Sequence, residues 1–334
     1  MKRRMLYAVL LVAVVGLLIS SVQGALAWEP TEPIEFISPG SPGGGWDTIC
    51  RVSARVLGET GLVTEPIYVS TMTGGSGSVA ISHVVRRREG DAHLLIAASN
   101  SVTFSMAGGK TLYTYYDVTP LAQIAAEYGA YVVLADSPYQ TLGDVVEALQ
   151  ADPDSVTIAG GSAPGSMDHI KVALLGKAIG IDPLDMAYVP YQGGGEALAS
   201  LLGGHVDVAS LDVSEIEGQL KAGEVRALAV LSEDRLALFP DLPTAVEQGV
   251  DVTFVVWRGL YMPAGLSKEV VEFWTDTIEQ MVASPEWEEA KPKAWEPVTR
   301  FGDEFVQYTY DELERYLTLL EELGFEPRKE PVMK

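Results

Sequence analysis

The sequence has very little cysteine, with Cys50 alone among 334 residues. One thiol cannot form a disulfide within the chain, and the four histidines show no ligand spacing, so a zinc site is not expected. The sequence also lacks a membrane-spanning run, because its N-terminal apolar stretch, residues 6–19, has about 14 residues against the roughly 20 that a span needs. Neither a metal nor another cofactor is predicted.

Basic residues are scarce as well. The chain has 23 Lys and Arg against 46 Asp and Glu, a formal net charge of -23. Nucleic acid is therefore not an expected partner, since binding it depends on positive charge. The same acidity disfavours capture of an anion, so any anion site must depend on local dipoles. Two explanations of the acidity stay open, namely a saline habitat and ordinary solubilising surface charge.

The N-terminus has the pattern of a secretory signal peptide. Lys2, Arg3 and Arg4 precede the apolar run, and residues 25–27 (Ala-Leu-Ala) form a small-x-small cleavage site. We therefore predict that residues 1–27 are a signal peptide and that the mature protein is periplasmic. No cysteine lies near the cleavage site, so a lipid anchor is not expected.

After residue 27 about 300 residues remain, and at about 150 residues per domain this length predicts two domains. Short apolar runs alternate with segments of helical period, a pattern typical of parallel sheets covered by helices. The runs are residues 34–37, 67–69, 94–98, 131–135, 156–159, 206–209 and 227–231. The predicted fold class is therefore α/β.

No flexible linker interrupts the chain, so we expect ordinary strands to cross between the domains. Two hinge crossings are predicted, near residues 127–131 and 226–232. The first domain would comprise residues 28–127 and 230–334, and the second residues 128–229. In the first domain, stripes of apolar residues predict a helix after the first glycine-rich turn and a final helix over residues 305–323. The stripe residues are Ile49, Val52, Val56 and Leu57 in the former helix, and Tyr308, Leu313, Tyr316 and Leu320 in the latter.

Four glycine-rich turns stand where a strand should pass into a helix. Glycine lets the backbone approach a ligand closely, and the start of the following helix offers free N–H groups and partial positive charge. Such helix starts bind carboxylate or phosphate. Any single turn is also consistent with an ordinary strand-to-helix connection, but four together predict a ligand site. They contain Pro42, Gly43, Gly44, Gly45, Trp46 and Asp47; Gly74, Gly75, Ser76, Gly77 and Ser78; Ser162 and Ser166; and Tyr191, Gly193, Gly194 and Gly195.

Side chains in these turns have distinct expected roles. Hydroxyl groups of the serines and of Tyr191 would donate hydrogen bonds to a ligand. We expect Asp47 to cap the helix that begins there, since a carboxylate would repel an anionic ligand. Trp46 is equally consistent with a flat lid over the ligand and with simple packing.

Enzymatic alternatives have weaker support. Residues 75–80 satisfy a relaxed dinucleotide fingerprint, but the acidic residue expected about 20 positions later is not clearly placed. No Gly-Lys-Ser/Thr follows any turn, so a P-loop is not predicted. Ser162 or Ser166 with His169 and Asp168 suggests a hydrolase, yet the turn lacks the closing glycine of a nucleophile elbow. We expect no catalytic residues, and a secreted α/β enzyme is kept as an alternative.

At these turns the sequence resembles the solute receptors of tripartite tricarboxylate transporters, the TctC or Bug family. The resemblance covers nearly the whole mature chain. The first turn matches the family pattern P-G-G-x-x-D at Pro42, Gly43, Gly44 and Asp47. Further matches are residues 189–197, 201–207, 225–230 and 240–244. Each motif is modest, but their order and spacing are specific.

The resemblance implies a two-domain periplasmic-binding-protein fold of the Venus flytrap, type II-like kind. It implies that residues 42–45 and 74–77 hold a carboxylate, and that Ser162, Ser166, Tyr191 and residues 193–197, including Ala197, contact the rest of the ligand. Thr71-Met72-Thr73 and Ala163 depart from the family pattern. The implied partners are a small organic acid and a membrane permease with a large and a small subunit; a monomer is expected. A receptor that serves a signalling partner without transport is the alternative.

Overall fold

The computed structural model describes residues 28–329, so the predicted signal peptide lies outside the described residues. Within residues 28–329, no helix is both long and apolar enough to span a membrane. The strands are β1 (Ile34–Ser38), β2 (Ile67–Thr71), β3 (Leu94–Ser99), β4 (Val118–Leu134), β5 (Ile158–Gly160), β6 (Tyr188–Pro190), β7 (Val208–Asp212), β8 (Val225–Val230), β9 (Val255–Pro263) and β10 (Arg300–Phe301). The helices are α1 (Gly45–Glu59), α2 (Ser78–Arg87), α3 (Asn100–Ala107), α4 (Leu142–Ala151), α5 (Met167–Ile179), α6 (Gly194–Leu202), α7 (Val213–Ala222), α8 (Lys268–Val282), α9 (Pro285–Ala290) and α10 (Gly302–Glu322).

The long strand β4 connects the two halves of the sheet. The strand order is β2-β1-β3-β9-β4-β7-β5-β6, and β8 and β10 also pair with β4. Up to Tyr128, β4 pairs with β9, and from Gly129 onward it pairs with β7 and β8. This change of partner coincides with the first predicted crossing; the domain boundaries themselves stay a prediction.

The α/β prediction is confirmed, and each of the seven predicted runs overlaps a strand. Strand direction is more mixed than expected. The β1, β2 and β3 strands are parallel, as are β5, β6 and β7. However, β4 is antiparallel to β7, β8, β9 and β10. A hydrophobic pattern indicates which residues are buried but not whether neighbouring strands run parallel or antiparallel. The sequence therefore could not distinguish these pairings.

Both predicted helical stripes face the interior. In α1, Ile49, Val56 and Leu57 are fully buried and Val52 is half-buried. In α10, Leu313 and Leu320 are buried, and Tyr308 and Tyr316 pack against the same core. The final helix begins slightly earlier than predicted, at Gly302.

Six strands pass directly into helices at one end of the sheet. The parallel strands β1, β2 and β3 lead to α1, α2 and α3, and β5, β6 and β7 lead to α5, α6 and α7. Carboxyl ends of parallel strands share an edge, where clefts form in α/β proteins. The four glycine-rich turns are therefore brought to two facing groups of helix starts.

Candidate functional site

A small cavity lies between these two groups of helix starts. Its volume is about 30 Å³, room for about two water molecules. Five of the predicted site residues line it: Gly44, Gly45, Trp46, Gly193 and Gly194. The remaining lining residues are Gly40, Ser99, Ser101, Gly161, Met167, Asp168, Asp212, Glu215 and Arg258. The structure thus brings the first and fourth turns together around one shared space.

The other predicted site residues lie around this cavity without lining it. Ser162 accepts a hydrogen bond from the Asp168 amide at 2.8 Å, and Tyr191 pairs with the Ser200 hydroxyl at 2.6 Å. Ala197 is fully buried in the smaller hydrophobic cluster. Ligand contacts of these residues, and of Pro42, Gly43, Gly74, Gly75, Gly77 and Gly195, stay predictions.

Asp47 does not occupy the capping position that we expected. The N-cap of α1 is Gly44, and Asp47 lies in the first turn. Its Oδ2 accepts the Gly43 N–H at 3.0 Å and pairs with Arg51 at 2.8 Å. The helix begins two residues before Asp47, so this side chain stabilises the preceding turn instead.

Direct hydrogen bonds join the two groups of turns. The Ser41 N–H donates to the Gln192 carbonyl at 3.3 Å, and the Ala163 N–H donates to the Ser76 hydroxyl at 2.8 Å. The Ser166 hydroxyl donates to the Ser101 carbonyl at 3.3 Å. The structure is therefore closed, with residues of the first, second, third and fourth turns in mutual contact.

Ser76 has a left-handed backbone, with φ of 52°. Non-glycine residues adopt this conformation at a cost and chiefly at functional positions. Here it aims the hydroxyl at the third turn, where the Ala163 amide donates to it. The second turn thus contributes a side-chain contact to the third turn, on the opposite group of turns.

A charge network that the sequence did not predict lies beside the cavity. It consists of Glu127, Asp168, Lys171, Asp212 and Arg258, each at most 4% exposed. Lys171 bridges Asp168 at 2.8 Å and Asp212 at 2.7 Å. Arg258 bridges Glu127 at 2.7 Å and Asp212 at 2.6 Å. Asp212 therefore links the two cations.

Burial of these charges is compensated by pairing. Burial alone would raise the pKa of Asp212, but Lys171 and Arg258 lower it below its usual value. Glu127 also accepts hydrogen bonds from the Ser214 amide at 2.9 Å and the Trp295 indole at 2.9 Å. Truncating one partner would leave an uncompensated buried charge, so the network fixes the relative positions of β4, β7 and β9.

Glu215 lies next to this network, in the first turn of α7. Its side chain keeps partial surface exposure, whereas its carboxyl group is enclosed by protein. Burial, reinforced by the negative charge of Asp212, raises the pKa of Glu215 to about 8. It is therefore a protonated or readily protonated acid at neutral pH.

Two residues of the charge network could have been recognised in the sequence as unusual. Arg258 interrupts an apolar strand, and Glu127 follows two alanines inside β4. A charged residue in the middle of a buried strand is rarely tolerated unless it is paired. What the sequence could not reveal is the pairing itself, because the partners are far apart along the chain.

The residues of the hydrolase alternative do not form a catalytic triad. The His169 Nδ1 accepts the Gly165 N–H at 2.9 Å, and its ring stacks on Tyr188 at 4.3 Å. Burial lowers the pKa of His169 to about 4. Asp168 pairs with Lys171. Among the described residues, no group of three or more His, Cys, Asp or Glu could hold a metal ion.

The sequence matches a family model over residues 51–325, and the family is described as the tripartite tricarboxylate transporter family receptor, TctC. The chain belongs to this family. Among curated relatives of this TctC chain is Protein BugT of Bordetella pertussis, 27% identical over 327 residues, which cover 94% of this chain and 97% of that protein. The resemblance predicted from the turns is confirmed.

Solved structures agree on the fold. The periplasmic binding protein BugD is 24% identical, with a TM-score of 0.81 over 89% of this chain and 99% of that chain. R. palustris Rpa4515, solved with adipate, is 24% identical, with a TM-score of 0.81 over 90% of this chain and 99% of that chain. This TctC chain therefore has the periplasmic-binding-protein fold.

Proposed function

We propose that this protein is an extracytoplasmic receptor that captures a small organic acid between two domains and delivers it to a tripartite tricarboxylate transporter permease. The observation that carries the proposal is the cavity between facing helix starts, which is lined by the first and fourth glycine-rich turns. Helix starts attract carboxylates through free N–H groups and the helix dipole. The relative Rpa4515, which was solved with adipate, supports the same ligand class.

The proposed location is the periplasm. Residues 1–27 have the signal-peptide pattern, and BugD is described as a periplasmic binding protein. In this scheme the permease, with a large and a small subunit, receives the acid from the closed receptor. The two domains are proposed to be residues 28–127 with 230–334, and residues 128–229.

The proposed mechanism is closure of these domains on the ligand. The acid first binds helix starts of one domain, and rotation about the two crossings then adds contacts from the other. Only binding energy that differs between the open and closed states drives this change.

A thermal-shift panel of mono-, di- and tricarboxylates on the mature protein tests the proposal. A ligand at about 100 times its dissociation constant should stabilise the protein by about 2.7 kcal/mol. If no acid in the panel changes the melting temperature, the proposed function is wrong.

Gly195→Ala tests the closure mechanism. A Cβ atom at Gly195 would lie 2.5 Å from the Pro42 carbonyl oxygen, on the opposite group of turns. The methyl group should therefore hold the first and fourth turns apart and weaken binding of the acid found in the panel by about tenfold or more, equivalent to about 1.4 kcal/mol. Gly218→Ala is the matched control, since a Cβ there meets no atom within 4 Å. Equal affinity in both variants would contradict closure of these turns on the ligand.

A further inference from the structure

Glu215 connects the starts of three helices. Its Oε1 accepts the N–H of Gly45, the first residue of α1, at 2.9 Å. Its Oε2 accepts the N–H of Asp212, which precedes α7, at 3.1 Å. A Cβ atom at Gly194, the first residue of α6, would lie only 2.2 Å from Oε1, so the carboxyl group rests directly on that helix start. An internal carboxyl group thus occupies the place where helix starts would attract an anion.

The surrounding charges leave Glu215 without a cation of its own. Lys171 and Arg258 each already bridge two other carboxylates. Within residues 28–329, Glu215 forms no ion pair, and both of its hydrogen-bond donors are backbone amides. Of the charge network and Glu215, three carboxyl groups (Asp168, Asp212 and Glu215) and one cation (Arg258) line the cavity, so this wall has an excess of acceptors.

The first turn has the opposite character. The Trp46 indole N–H is buried without a hydrogen-bond partner, and the residue is only 9% exposed and lines the cavity. An indole nitrogen can only donate, so a ligand that reaches this group must offer it an acceptor. Together with the α1 amides it makes the first turn a surface of donors. The cavity is therefore polarised, with donors on one wall and acceptors on the other.

From this polarity we propose that the ligand is a carboxylate that also carries an ammonium group, and that Glu215 is the specificity-determining residue that binds the ammonium. The inference rests on the proposed function and narrows its ligand class. When the cleft opens, Gly45 and Glu215 separate; the ligand then inserts between them. Its carboxylate replaces Glu215 on the α1 amides, and its ammonium replaces Gly45 on Glu215.

A second carboxylate at this position would be disfavoured. It would face Glu215, Asp168 and Asp212, whereas Lys171 and Arg258 are each shared between two carboxylates. Like charges repel strongly where little water separates them, so a diacid could bind only with an added proton. An ammonium group instead offers three donors and a positive charge, which would let Glu215 ionise and release its proton.

The test compares matched acids with and without an ammonium group on the mature protein at pH 7. The pairs are propionate with alanine, succinate with aspartate, and glutarate with 4-aminobutyrate. By calorimetry, the amino member of the best-bound pair should bind about tenfold more tightly or better, equivalent to about 1.4 kcal/mol. Measurements in buffers of different ionisation enthalpy should show proton release on binding, because the pKa of Glu215 is about 8 in the free protein.

Glu215→Gln keeps the size of the side chain but removes its charge. The preference for the amino member should fall to within about twofold in this variant. Glu224→Gln, on an exposed residue after the same helix, is the matched control and should keep the preference. Proton release by the unaltered protein gives a second readout that does not depend on the variant's folding.

The outcomes separate the inference from the proposed function. If the acids without an ammonium group bind as tightly as their amino partners, if no proton is released, or if the preference survives in Glu215→Gln, the role of Glu215 is wrong while the receptor function stands. If no carboxylate of any kind binds, the receptor function is wrong and the inference is wrong with it.

Discussion

Two enclosed carboxyl groups, Glu312 and Glu215, have contrasting surroundings. Glu312 in α10 accepts hydrogen bonds from the Trp257 indole at 2.7 Å, the Thr103 hydroxyl at 2.7 Å and the Tyr316 hydroxyl at 2.8 Å. Burial raises its pKa, but neutral donors satisfy both of its oxygens. Glu215 has only two backbone donors, one of them across the cavity. Glu312 thus fastens the final helix to the core. Glu215 would instead lose its hydrogen bond from Gly45 if the proposed domains opened.

A single strand contributes to both surroundings. In β9, Trp257 donates to Glu312 and the next residue, Arg258, pairs with Glu127 and Asp212. Successive residues of a strand point to opposite faces of the sheet. One face of β9 therefore fastens α10, and the other carries the charge network beside the cavity. A cluster that fastens a helix and a cluster beside the cavity can share one strand because their side chains lie on opposite faces of it.

Arg258→Met should produce the largest loss of stability. Methionine keeps the length of the side chain but leaves Glu127 and Asp212 short of a buried cation, which should lower the free energy of unfolding by about 3–5 kcal/mol. Urea denaturation followed by tryptophan fluorescence measures this loss. Arg235→Met is the control, because the Arg235–Glu247 pair is exposed and worth at most about 1 kcal/mol. Equal losses in the two variants would contradict a tightly coupled buried network.

Glu312→Gln should have a smaller effect, confined to stability. The amide nitrogen would face hydroxyl and indole donors in the interior, so we expect a loss of about 1–3 kcal/mol. Ligand affinity should be unchanged, since Glu312 does not line the cavity. Glu314→Gln, exposed on the same helix, provides the baseline in urea denaturation. A change in affinity with Glu312→Gln would remove the contrast between the two carboxyl groups.

The sequence was sufficient for the features that depend on local pattern. Apolar runs located seven of the ten strands of residues 28–329, and glycine-rich turns located helix starts at the cavity, including Gly44, Gly45, Trp46, Gly193 and Gly194. Both signals come from residues close together in the chain. Their physical causes, burial of one face and close backbone approach, are local as well.

The charge network could not be predicted in this way. Glu127 and Arg258 meet only because β4 and β9 pair antiparallel, and apolar patterning carries no information on that direction. The β9 strand was itself missed, since Arg258 and Gly259 interrupt its apolar run. Similarly, Glu215 resembles an ordinary first-turn acid of α7, and only the folded chain places it on Gly45.

The pH dependence of stability gives the smallest expected effect and separates Glu215 from His169. Burial lowers the pKa of His169 to about 4, so its stabilising contribution is present above pH 6.5 and is lost as the pH falls toward 4. The raised pKa of Glu215 acts with the opposite sign: stability is lost as the pH rises from 4.5 through about 8. Between pH 6.5 and 8, only the second of these two groups changes its charge.

From pH 6.5 to 8 the free energy of unfolding of the unaltered protein should therefore fall by about 1–2 kcal/mol, and that of Glu215→Gln should not show this fall. Urea denaturation at half-unit pH steps measures the difference between the two profiles. His169→Gln should leave this window unchanged. Between pH 4.5 and 6.5, where the contributions of His169 and Glu215 to stability oppose each other, it should instead make stability fall more steeply as the pH rises. If the unaltered protein and Glu215→Gln run parallel from pH 6.5 to 8, the Glu215 carboxyl group is already ionised in the free protein. Glu215 would then not differ in protonation from the other carboxylates of the cavity wall, because it would carry the same full charge as they do.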